Sequence, residues 1–122
     1  MATAKDVYEK AKSLMFEKPS SSIYDNFWKP NLNRILVELF NENNVARVFN
    51  GKTKLENPQV IVNDSDIMEY EDEYVYNVIP LGLAARFLID DDLNKYAIFN
   101  TDYNNARVFA QKLVSKEKWD AA

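Results

Sequence analysis

Apolar side chains at Leu32, Ile35, Leu36, Leu39 and Phe40 fall at i, i+3, i+4, i+7 and i+8, the stripe of a helix that buries one face. Pro30 suits the first turn of this element, where a missing N–H leaves nothing unsatisfied. The polar run NENN at residues 41–44 is expected to interrupt or bend it, with Val45, Val48 and Phe49 continuing in a short helical turn. Asn50 and Gly51 then end it, since both tolerate the left-handed backbone found past helix ends. Upstream, Val7, Tyr8, Ala11, Leu14 and Met15 predict an amphipathic helix over residues 3–16, with Thr3 and Asp6 as a capping pair. The proline and serines of EKPSSS break it, and Ser22 can cap a further turn carrying Ile23, Tyr24, Phe27 and Trp28.

After Gly51 the pattern changes. Leu55, Pro58, Val60, Ile61 and Val62 suit an extended arm over residues 52–69. An acidic stretch from Asp64 to Glu73 leads into a third helix, about residues 71–89, where carboxylates face the positive end of the helix dipole. Pro80 should kink or divide that helix, and Leu81, Ala84, Ala85 and Leu88 form a narrow face suited to close helix contact. The run Asp90, Asp91, Asp92 is a turn, with Asp92 placed to cap a last helix over about residues 93–116. Along that helix Tyr96, Phe99, Tyr103, Ala106, Ala110 and Leu113 recur at alternating spacings of three and four, a seam of the coiled-coil kind. The expected fold is mainly α: a single domain, a small bundle of about four helices, with an extended arm between the second and third main helices.

Composition narrows the chemistry. A chain of 122 residues, 47% apolar and 28% charged, has the balance of an ordinary globular domain. It holds no cysteine and no histidine, so disulfides, thiolate nucleophiles and serine–histidine catalysis cannot be built from it. Two glycines, Gly51 and Gly82, are too few and too far apart for a phosphate-cradling loop. No enzyme activity and no cofactor are expected. The net charge of −4 is opposite in sign to the basic surplus with which nucleic-acid binders neutralise phosphate. The opening MATAKDVYEK lacks the pattern of a signal peptide, and no apolar run approaches membrane-spanning length; a soluble protein made in the cytoplasm is expected.

The acidic stretch offers oxygen ligands but lacks the spacing and glycine of an EF-hand loop, and a solvated loop running into a helix explains it without a metal. Trp119 stands in the polar setting KEKWDAA, as either a docking anchor or the accident of a frayed end. Beside a non-enzymatic protein that works by binding other proteins, two more specific readings remain. One is a helical module that binds a single partner through the Trp28 or Trp119 region; the other is a metal-dependent enzyme using the acidic stretch.

The order of segments resembles the small head–tail connector (head-completion adaptor) proteins of tailed bacteriophages. The likeness rests on WKPNLNRILVELFNENN, the proline-containing GKTKLENPQVIVNDSD, the acidic entry into EYVYNVIPLGLAARFLIDDD, and the start LNKYAIFNTDYNNA of the last helix. It covers about residues 6–110, and IPLGLAARFLIDDD is its most telling part. The resemblance implies a structural virion protein at the head–tail junction, synthesised in the cytoplasm of a bacterial host. Such a protein forms a homo-oligomeric ring that joins the portal to stopper or tail proteins and extends the DNA channel. DNA is then passing cargo, with no specific binding, and no membrane is involved. By that analogy the arm at residues 52–66 and the tail at residues 107–122 make intersubunit and portal contacts, with Val60, Ile61, Val62, Arg107, Lys112, Lys116 and Trp119 as candidates. Asp64, Asp66, Glu69 and Glu71 are candidate channel-facing acids, since carboxylates repel DNA phosphates. A loose arm and tail would lose entropy on docking, which is expected to keep the free chain monomeric until the portal templates it.

Overall fold

The capping pair expected at Thr3 forms. In the computed structural model, which describes residues 1–18 and 20–121 and side chains as far as residue 114, the Thr3 hydroxyl accepts the Asp6 N–H at 3.2 Å and the Asp6 carboxylate accepts the Thr3 N–H at 2.9 Å. Two otherwise orphaned donors are satisfied reciprocally, and α1 (Ala4–Leu14) starts there. It buries Val7, Tyr8 and Ala11. Its end is a Schellman turn: the Phe16 N–H donates to the Ser13 carbonyl at 3.0 Å and the Glu17 N–H to the Lys12 carbonyl at 2.9 Å. That geometry puts Phe16 at a φ of 62°.

The interruption or bend expected at residues 41–44 falls earlier in the chain. α2 (Trp28–Glu38) and α3 (Phe40–Phe49) are separated at Leu39, whose φ of −92° and ψ of 0° leave the helical region. NENN does not interrupt: it lies inside α3, with Asn43 and Asn44 buried. The break at Leu39 re-aims the axis so that Leu39 stays in the core while α3 presents those two amides inward.

Past Gly51 the chain is extended and wraps back across the start of α1. The Ala4 N–H donates to the Asp66 carbonyl at 2.8 Å, the Met68 N–H to the Ala2 carbonyl at 3.0 Å, and Thr3 and Ile67 make an isolated antiparallel bridge. No strand forms among the described residues.

The third predicted helix is divided, and the division falls just before Pro80. A π-helical segment (Glu73–Val78) precedes α4 (Ile79–Leu88), which has Pro80 in its first turn. Proline removes an N–H that an α-helix would aim at the preceding turn, and a widened π-turn lets the chain enter α4 without that bond. α4 is the hub of the molecule, packed against α1, α2 and α5 (Leu93–Ala121). Ile79, Leu83, Phe87 and Leu88 are all buried on it, each contributing about 1.5–3 kcal/mol of hydrophobic stabilisation. α5 starts at the expected cap, where Asp92 Oδ1 accepts the Lys95 N–H at 3.1 Å. Of the predicted seam, Tyr103 and Ala110 are buried, and Tyr96, Phe99, Ala106 and Leu113 are partly so. The protein is mainly α, with five α-helices and one π-helical segment among the described residues.

Candidate functional site

Residues 52–69 carry three of the candidate contacts and three of the candidate acids, and side-chain amides hold this arm in place. Asn33 Oδ1 accepts the Ile61 N–H at 2.7 Å and its Nδ2 donates to the Ile61 carbonyl at 3.2 Å. Asn44 does the same for Leu55, at 2.9 Å and 3.1 Å. Gln59 spans the arm itself, accepting the Glu69 N–H at 2.8 Å and donating to the Ile67 carbonyl at 2.7 Å. Arg47 adds bonds to the Thr53 and Glu69 carbonyls, and the Tyr70 hydroxyl donates to the Leu36 carbonyl. Burial pushes the Tyr70 phenol up to about 12. An extended segment without a strand partner would otherwise leave its backbone groups to water. Here amides from α2 and α3 replace the missing neighbour. The arm is therefore not the loose segment whose ordering was expected to hold the free chain monomeric.

This arrangement sorts the candidates. Val60 and Val62 project outward, 66% and 67% exposed, while Ile61 between them is 3% exposed and packs into the core. Ile61 is thus an internal contact, corrected by the alternation of an extended chain. Arg107 is committed to its own chain: it donates to Glu42 at 2.6 Å and to Glu38 at 3.2 Å. Glu38 also accepts Arg86 at 2.6 Å and the Tyr103 hydroxyl at 2.8 Å. The cluster ties α2 and α3 to α4 and α5, so the Arg107 guanidinium is not offered to a partner. Lys112 is exposed on α5. The side chains of Lys116 and Trp119 lie outside the described residues.

The four acids do not share one face. Glu71 is a correction: it is buried, with Asn50 and Lys52 each donating to its carboxylate at 2.8 Å. Burial pushes its carboxyl up, but the Lys52 and Asn50 bonds outweigh this and leave it below the ordinary range. The Glu71 N–H is taken by Asn43 Oδ1 at 2.8 Å, while the Asn43 amide nitrogen, also buried, has no partner among the described residues. Asp66 turns back to accept the Val62 and Asn63 N–H groups at 2.8 Å and 3.0 Å. Asp64 faces solvent but pairs with Lys29 at 2.6 Å. Glu69 is exposed, and its carboxylate makes no ion pair among the described residues.

Trp28, one of the two anchors considered for a single-partner module, is a core residue. It is 3% exposed and stacks on Tyr8 with ring centroids 4.8 Å apart. Sequence reasoning missed the amide pins: a buried asparagine is recognisable only once its distant partner is known. Among the described residues no group of three or more acidic side chains could hold a metal ion, and no helix is long and apolar enough to cross a membrane. No family model, curated protein or solved structure matches the chain. What the fold itself defines is a small, mainly α-helical protein with a pinned, extended arm.

Proposed function

We propose that this chain is a structural subunit of a ring of the head–tail connector kind, set between the portal of a phage capsid and the tail, where it extends the DNA channel. The arm supports this reading: Val60 and Val62 stand outward, 66% and 67% exposed, on a backbone that Asn33, Asn44 and Gln59 already order. A loose arm would lose roughly 1–2 kcal/mol per residue on docking, and a preorganised ridge avoids most of that. Partners in this reading are further copies of the chain, the portal, and stopper or tail proteins. A contact of standard size buries roughly 800 Å² per partner, and repetition around a ring lets modest contacts hold together. DNA passes as cargo.

The test is electron cryomicroscopy of intact particles at the capsid–tail junction. Density for a ring of this chain between portal and tail is the expected result. Particles carrying Val60→Asp with Val62→Asp should lose that ring, while the purified variant keeps the wild-type circular dichroism and unfolding midpoint. Particles that contain no copy of the chain overturn the reading.

A further inference from the structure

The end of α3 brings together a dipeptide and a buried acid that the ring reading leaves unused. Gly82 follows Leu81 and Gly51 follows Asn50, so Asn50 is the chain's one asparagine with a glycine after it. Gly51 has a structural reason of its own. Its φ of 81° is the left-handed position of a Schellman turn, in which the Gly51 N–H donates to the Val48 carbonyl at 3.0 Å and the Lys52 N–H to the Arg47 carbonyl at 2.8 Å. Asn50 has another: its amide donates to Glu71, which is 4% exposed and also holds Lys52.

Side by side, the two residues carry a reaction. A glycine nitrogen has no Cβ beside it to hinder its approach to the preceding amide carbon. The Gly51 nitrogen attacks Asn50 Cγ and forms a C–N bond. The bond from Cγ to the amide nitrogen breaks, and ammonia leaves with the Gly51 proton. Water then adds to either carbonyl of the cyclic imide, and the ring opens to aspartate or isoaspartate. Water is the one co-reactant, and it has access: Asn50 is exposed and borders an open cleft with Lys52, Glu71 and Asp72.

The native fold holds this reaction back. Asn50 has a ψ of 10°, which nearly eclipses the Gly51 nitrogen with the Asn50 nitrogen and keeps it away from the Cβ–Cγ bond. The Gly51 N–H is taken by Val48, and the leaving amide is anchored on Glu71. Closing the imide therefore requires the end of α3 to open first.

The product does not fit back into that arrangement. An acid at this position has no N–H to give Glu71 and sets a second carboxylate against it, with Asp72 and Glu73 lining the same cleft. Lys52 is the cation that lines it, and the nearby Arg47 is engaged by the Thr53 and Glu69 carbonyls. Like charges this close repel, and Lys52 is the residue from which the arm departs. We propose that Asn50–Gly51 is a self-modification site that works as a one-way release: the fold protects the amide, and its conversion to an acid loosens the root of the arm. This goes beyond the ring reading and stands without it.

In the test, the full chain is kept for days at mildly alkaline pH, folded or in urea, and mapped by peptide mass spectrometry. Acid should appear at Asn50 before any other asparagine in both samples. In the folded sample it should form about tenfold or more slowly, since the reactive form is then a minor open state. Asn50→Asp, standing for the product, should lower the urea midpoint and speed amide exchange at Lys52 and Leu55. Glu71→Gln added to Asn50→Asp should recover much of both, because a glutamine amide can donate to the new carboxylate. Glu71→Gln alone lowers the midpoint, so that recovery separates carboxylate repulsion from the simple loss of a contact. Equal rates with and without urea overturn the proposal, as does a folded chain in which another asparagine converts first or Asn50 not at all. An Asn50→Asp chain as stable as wild type, or one that Glu71→Gln fails to rescue, removes the release and overturns it equally.

Discussion

At Gly82 one absent methyl group sets how closely α4 and α5 approach. A Cβ there would lie 2.6 Å from Tyr103 Cε1 and 2.8 Å from Cδ1, well inside contact distance. Tyr103 has little room to retreat: it is 3% exposed, its hydroxyl is held by Glu38 at 2.8 Å, and burial, then Glu38, raises the phenol above its ordinary range. Gly82→Ala gains about 1 kcal/mol of helix propensity but meets an overpacking penalty of about 1–3 kcal/mol. A net loss of up to about 2 kcal/mol is expected in urea unfolding. An unchanged or higher midpoint would mean that α5 can slide outward at no cost. The narrow face of Leu81, Ala84, Ala85 and Leu88 was legible in the sequence, but Gly82 was not read as part of it. Tyr103 as the ring that uses the gap was not legible either, since that pairing depends on how two helices cross.

At the scale of elements, the legible parts were those with local chemistry: the Thr3–Asp6 box, the Leu32, Ile35 and Leu36 stripe of α2 and the Asp92 cap each need partners within a turn or two. The break at Leu39 and the placement of NENN inside α3 were illegible for the opposite reason. Asn43 and Asn44 look like loop residues until Glu71 and Leu55, 28 and 11 residues further on, supply their partners. The arm follows from that. Asn44→Ala removes both partners of the Leu55 N–H and carbonyl at a site where Asn44 is 7% exposed, and each buried group left unpaired costs about 1–3 kcal/mol. The expected result is a lower urea midpoint together with faster amide exchange at Leu55 and its arm neighbours. Slowed or unchanged exchange there would show that the arm is held by its apolar contacts alone.

For the whole molecule, the acids read together as a channel wall divide into those that hold the fold and those that face outward. Glu71 holds Lys52 and Asn50 from a side chain that is 5% exposed. Burial raises its carboxyl, the two bonds lower it further, and the outcome lies below the ordinary value, which is about 4.3 in an unfolded chain. A proton therefore binds the unfolded chain more strongly. The stabilisation is complete above the unfolded value and is lost as pH falls through the folded one. Asp66, lowered by the Asn63 and Val62 N–H groups, and Asp64, lowered by Lys29, act in the same direction. Glu71→Gln should lower the urea midpoint at pH 7, since an amide nitrogen then faces the Asn50 and Lys52 donors. It should also flatten the wild-type loss of stability on titration toward pH 3. Glu69→Gln should run parallel to wild type, because that exposed carboxylate holds nothing in the fold. If the ring reading holds, Glu69→Gln with Asp64→Asn changes genome passage in assembled particles while the ring still forms, since only outward-facing charge can repel passing phosphates. Normal ejection by those particles would remove the acids from the channel wall and leave the arm's valines as the part of this segment turned toward a partner.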